Sequence, residues 1–165
     1  MQSPLSETLR AMARYNQGHP DLVQHAAKVY AYSELIALDE GLAGNDLLIV
    51  QLAALLHDIG ILPSREKYGS GAGGYQQIEG PPVARALLEP LQLPEPLVER
   101  VCFLIAHHHT YTDIDGLDYR ILVEADFLVN IQEGGMDGES IRAVQRDVFR
   151  TRLGNQLLQA MFLQS

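Results

Sequence analysis

The stretch 121–129, Ile-Leu-Val-Glu-Ala-Asp-Phe-Leu-Val, constrains this chain more than any other. Wound as a helix it is apolar on nearly every side, so protein has to surround it. Asp126 goes into that interior with it. A buried carboxylate needs a cation, a hydrogen-bond partner or a proton. Asn130, one turn further on, offers one ordinary solution.

The rest of the sequence also reads as helices, punctuated by Gly and Pro. A first helix is capped by Ser6 and ends near Gly18. Pro20-Asp21 opens a second, with proline in the first turn and an acid at the positive end of the dipole. In it His25, Val29, Tyr32 and Ile36 share a face, and it ends near Gly41 or Gly44. Asn45 or Asp46 caps a third over 47–59, and Gly60 ends it. Residues 62–75 read as a loop, made pliable by Gly69, Gly71, Gly73 and Gly74. A fourth helix covers 78–88 with Pro81-Pro82 in its first turn. A fifth runs from Pro94 or Pro96 to about His108, and a sixth over 117–132, closed by Glu133-Gly134-Gly135. Asp137 or Ser140 starts a seventh, and 155–163 forms a short last one. No alternation of apolar and polar residues argues for a sheet. The expected fold is all-α, a compact multi-helix bundle. One domain over 1–165 is expected, with the helices of 136–163 packing on the rest.

Three places in these helices bring ionisable groups where burial is expensive. His57 and Asp58 close the apolar third helix in Leu55-Leu56-His57-Asp58-Ile59-Gly60; Asp126 sits in the sixth; His25 lies on the apolar face of the second. Each alone reads as a hydrogen-bonded core residue. Two His and two Asp on three apolar helices together match a mixed nitrogen and oxygen ligand set for a divalent ion.

His, then His-Asp in an HDIG helix end, then a distant Asp, resembles the HD superfamily of metal-dependent phosphohydrolases. The resemblance covers roughly residues 20–132. It implies an HD-domain bundle with the metal in its helical core, held by His25, His57, Asp58 and Asp126. Mn, Fe, Zn, Ni, Co or Mg would serve, one ion per chain. It also implies hydrolysis of a small phosphate ester or anhydride, a nucleotide among the candidates, by metal-activated water. Asp58 would orient that water or take its proton. His108 would contact phosphate or protonate the leaving group.

The run His107-His108-His109 falls where binuclear relatives of the superfamily carry histidines. His107, His108 and Glu79 are candidates for a second ion or for supporting the first. Another histidine expected before the fourth helix is replaced here by Gln76 or Gln77, which favours a single metal. Lys28, Lys67 and His109 are candidates for holding substrate, with Arg65 a weaker one. The glycine-rich loop is a candidate lid or phosphate cradle but lacks the P-loop pattern. An oxygen-using binuclear iron enzyme and a non-catalytic metal-binding sensor are the alternatives.

A net charge of -9 argues against a nucleic-acid surface and an anionic membrane. It leaves a small phosphorylated substrate open, since a metal supplies local positive charge. The apolar run 47–56 is too short to span a bilayer. The single cysteine, Cys102, lies in an apolar run and reads as a buried hydrophobe; it forms no internal disulfide. These features fit a cytoplasmic protein, and the 139–152 helix leaves a homodimer open.

Overall fold

A computed structural model describes residues 3–164. Among them the chain forms nine α-helices and one 3-10 turn, with no strand. The helices are α1 (Pro4–Tyr15), α2 (Pro20–Asp39), α3 (Gly44–Leu56), α4 (Ile61–Tyr68), α5 (Gly73–Leu88), α6 (Glu95–His107), α7 (Leu117–Gly134), α8 (Gly138–Asp147) and α9 (Arg152–Phe162). The all-α expectation holds.

Helix α3 is the middle of the bundle, packed by α1, α2, α6 and α7. Its residues 49–56 are all buried, as an all-apolar helix requires. α7 is the second inner helix, with ten buried residues over 119–131, among them Glu124 and Asp126. Residues Gly44–Tyr68 as one stretch are long and apolar enough to cross a membrane, which counting only to Leu56 misses. Yet 72% of that window is buried inside the bundle, so its apolar surface is taken up by protein.

Several boundaries differ from the sequence reading. Ser3, not Ser6, caps α1: its side chain accepts from Leu5 N, and the helix ends at Tyr15. α3 starts at Gly44 after Ala43, with no side-chain cap from Asn45 or Asp46. Residues 62–75 are not a loop. α4 occupies the first half of them and α5 the last three, and only 70–72 stay irregular between Gly69, left-handed at φ 70°, and the start of α5. The glycines misled because they mark a helix end and a helix start rather than one long flexible span. α5 is likewise longer than expected, with Pro81 and Pro82 inside it. They deprive two upstream carbonyls of their usual partners. Gly80, with no Cβ, eases the clash that a proline imposes on the residue before it.

Gly60 has a different role from the helix stop expected of it. Its φ is -78°, ordinary for any residue. What requires glycine is space: a Cβ here would meet Gly80 N at 2.7 Å and Gly80 Cα at 2.9 Å. The α3–α4 corner and α5 thus touch backbone to backbone. Gly80 in turn would drive a Cβ to 2.9 Å from Ile105 Cγ2 of α6. These contacts fix the corner that carries His57 and Asp58 against the two helices behind it. Cys102 is buried in the same layer and donates its thiol to Pro81 O.

Candidate metal centre

Four donor side chains, from α2, α7 and the α3–α4 corner, meet in the core. His25 Nε2 lies 3.2 Å from His57 Nε2 and 3.1 Å from Asp126 Oδ1. Asp58 Oδ2 is 3.3 Å from His25 Nε2 and 3.4 Å from His57 Nε2, and Asp126 Oδ1 is 3.4 Å from His57 Nε2. His57 is fully buried and His25 and Asp126 nearly so. The sequence placed Asn130 as a partner for Asp126; the structure gives Asp126 the two histidines instead and leaves Asn130 exposed.

The histidine tautomers follow from their outer nitrogens. His57 Nδ1 donates to Ala54 O at 2.8 Å, and His25 Nδ1 to Glu133 Oε2 at 2.8 Å. A neutral imidazole carries one proton, so both Nε2 atoms turn lone pairs inward. Two nitrogen lone pairs and two carboxylate oxygens then face each other with no donor among them. That arrangement needs a cation at its centre, a proton or a metal. Donor pairs that are both about 2.1 Å from one ion, at angles between octahedral and tetrahedral, sit roughly 3.0–3.4 Å apart. The measured pairs fall in that range, so these residues fit a divalent ion.

Protons show the same demand. Burial alone would lower the His57 pKa, but Asp58 and Asp126 hold it well above its ordinary value. Burial would raise Asp58, but His57 and His108 take it well below the usual carboxylate range, and Asp126 is lowered in the same way by His57 and His25. Without a metal, a proton shared among them serves as the cation.

Asp58 faces two ways. Its Oδ1 is 3.3 Å from His108 Nε2. His108 is fully buried, and its Nδ1 donates to Ile105 O at 2.7 Å, so its Nε2 also presents a lone pair. The buried His108 Nε2 and His109 Nε2 have no hydrogen-bond partner. Asp58, His108 and His109 offer atoms within 4.8 Å of one another, as do His25, His57 and Asp58. Burial, then the neighbouring His108, lowers the His109 pKa to about 4, so it is neutral at pH 7. Its ring packs on Gly73, where a Cβ would come 2.8 Å from His109 Cγ. That contact gives the glycine-rich segment a concrete role, in seating a site histidine.

The other candidates lie elsewhere. His107 donates to Phe103 O and stacks on the Phe103 ring, outside both clusters. Glu79 accepts from Lys67 Nζ and from the Tyr68 hydroxyl, both at 2.9 Å. Glu79 and Lys67 are thereby engaged with each other, and neither joins the His/Asp clusters. Gln76 donates to Gly71 O and Gln77 to Thr110 Oγ1. Lys28 is at the mouth, a cavity of about 360 Å³ that also touches His25, Asp58, Asn130 and Glu133, and its Nζ is 2.6 Å from Glu133 Oε1.

Two residues near the site were not singled out from the sequence. Glu133 read only as the end of a helix. It stands seven residues, two turns, after Asp126, and that spacing was the available signal. Tyr111 has its hydroxyl pKa raised by burial and then by the charges of Asp126 and Asp58, and its ring lies 4.9 Å from that of Phe127, the residue after Asp126. Nothing in the turn sequence around it marked it.

An all-helical fold with a buried nitrogen-and-oxygen donor cluster defines a helical domain able to hold a metal ion in its core. The HD domain family model matches residues 22–150, and the chain belongs to that family. A crystal structure of a predicted HD superfamily hydrolase from an uncultured Thermotogales bacterium has the same fold, with a TM-score of 0.68. The match is 23% identical and covers 96% of this chain and 84% of that one. A search of curated proteins finds no match.

Proposed function

We propose that this chain is a metal-dependent phosphohydrolase acting on a small phosphate ester or anhydride in the cytoplasm. The inward-facing lone pairs of His25 and His57 between the oxygens of Asp58 and Asp126 carry this reading. Family membership supports metal-dependent hydrolysis in general; the phosphate is the finer step.

A bound divalent ion supplies a water of lowered pKa and a Lewis acid for a phosphoryl oxygen. His25, His57, Asp58 and Asp126 would hold it. Asp58 Oδ1, on the side away from His25 and His57, orients what approaches from the His108 direction. Its lowered pKa makes Asp58 a weak proton acceptor, so it positions water rather than deprotonating it. His108 and His109, each with a buried unpartnered Nε2, are the side chains placed on that side to exchange a proton with substrate. Lys28 at the mouth supplies the one cation that lines it.

The test strips the protein with a chelator, reloads it with Mn, Zn, Fe, Co, Ni or Mg, and measures bound metal beside turnover of a panel of phosphate esters and anhydrides. About one equivalent of metal and metal-dependent turnover are expected. His57→Ala should lose both. A His57→Ala protein with full metal content and activity would overturn the proposal.

A further inference from the structure

Beside the mouth lies a second cavity, of about 340 Å³, walled by Tyr32, Leu128, Val129, Met161 and Phe162, with Lys28 and Gln132 as its polar groups. Its walls come from the two helices that carry His25 and Asp126, closed on the outer side by the end of α9. Lys28 and Val129 are each three residues beyond those ligands, a rise of about 5 Å along each helix. Lys28 lines both cavities. The groove therefore adjoins the mouth at Lys28, whose ammonium stands between them.

We propose that this groove is the subsite for the non-reacting part of the substrate, and that the substrate is a phosphate monoester with an apolar body, an aromatic ring or short alkyl chain. This rests on the phosphohydrolase reading of the metal centre. Apolar walls with a few placed polar groups are what such a body requires. The Lys28 charge complements a phosphate held between the groove and the donor cluster. Lys28 is free to turn there, because its pair with Glu133 is surface-exposed, Lys28 at 51% and Glu133 at 38%, and such pairs contribute little. The outer wall is adaptable. Met161 is 41% exposed, near the end of α9, and the Tyr32 hydroxyl reaches across the groove to donate to Met161 Sδ at 3.6 Å. A thioether chain reshapes around different bodies at small cost. Three acidic groups, Asp21, Asp58 and Glu133, line the mouth against one lysine, which disfavours a substrate with further negative charge in its body.

The experiment uses the full-length metal-loaded protein and two non-hydrolysable probes, 1-naphthylphosphonate and methylphosphonate. Binding is followed by calorimetry and by the methionine methyl signals in NMR. Naphthylphosphonate is expected to bind at least tenfold tighter, to shift the Met161 methyl and to leave the core residue Met12 unmoved. Met161→Glu should cut the naphthyl-over-methyl preference about tenfold, and Met161→Leu should keep it. Equal affinity for the two probes, an unmoved Met161 signal, or an unchanged preference in Met161→Glu would overturn the proposal. Turnover does not enter these readouts. A failed phosphatase screen beside intact probe binding would count against the catalytic reading alone.

Discussion

Helix α7 buries two carboxylates two residues apart, and they are treated in opposite ways. Glu124 is fully buried, and its donors are backbone and hydroxyl: Arg150 N at 2.5 Å, Thr151 N at 3.1 Å and Thr151 Oγ1 at 2.5 Å. Thr151 Oγ1 accepts in turn from Gly154 N, which caps α9. Burial still raises the Glu124 pKa despite these donors. Asp126 receives no backbone donor, only the inward nitrogens of two histidines. Burying a carboxylate is therefore not itself a sign of chemistry. A carboxylate that closes its own hydrogen bonds is a brace, whereas one left facing other lone pairs marks the place for a cation.

The sharpest break of that comparison is to truncate each acid in turn. Asp126→Ala should abolish metal binding and drop any metal-dependent turnover by three orders of magnitude or more, roughly the loss when a group essential to the transition state is removed. Metal analysis by plasma mass spectrometry checks the first and steady-state kinetics the second. Glu124→Ala should leave metal stoichiometry intact but cost about 3 kcal/mol, because three buried donors lose their acceptor. In a chain of this size that lowers Tm by roughly 6–12 °C, measurable by calorimetry. If Glu124→Ala lost its metal while staying folded, the division between brace and site would be wrong.

The backbone contact behind the site comes next. Gly60→Ala should cost about 2 kcal/mol, since Gly80 backbone cannot swing aside as a side chain can. Gly80→Ala should cost less, its clash being with the Ile105 methyl. Thermal melts of the two variants rank them. Glu133→Gln is smaller in a different currency: it keeps an acceptor for His25 Nδ1 but removes the charge, and metal affinity by chelator competition should fall about tenfold.

The smallest effect is a pH dependence of a few degrees. In the metal-free protein the His57 pKa is raised, so its stabilisation is complete below about 6.5 and drains as pH climbs through the raised value. Asp58 and Asp126 are lowered, so theirs is present above about 3.8 and lost as pH falls through the lowered values. Metal-free Tm should therefore peak between about 4 and 6.5 and decline in alkali. Saturating metal should reverse the alkaline decline, since the ligands are neutral histidines. Identical melting curves with and without metal across that range would remove the link between charge and stability drawn here.

The helical class and the four donors were readable because both rest on local pattern: apolar periodicity, and a polar residue that breaks it. The unread parts depend on contacts distant in sequence. Glu124 drew no reading from the sequence, because the donors that satisfy it, at Arg150 and Thr151, lie 26 and 27 residues further on. Gly60 looked like a helix stop because its need for space came from Gly80, twenty residues away. Pro81 and Pro82 pulled the start of α5 too late, because a proline is expected in a first turn unless packing holds the helix through it. Lys67 and Glu79 read as separate candidates, and only the approach of α4 to α5 turned them into a pair.

The cap of α9 also sets where the chain can be cut. The last donor to the cluster is residue 126, yet a piece ending soon after it would strip the Glu124 carboxyl of its three donors and of the segment that covers it. The shortest length able to fold around the ion has to reach Thr151, and the HD domain match, ending at residue 150, stops one residue short of that threonine.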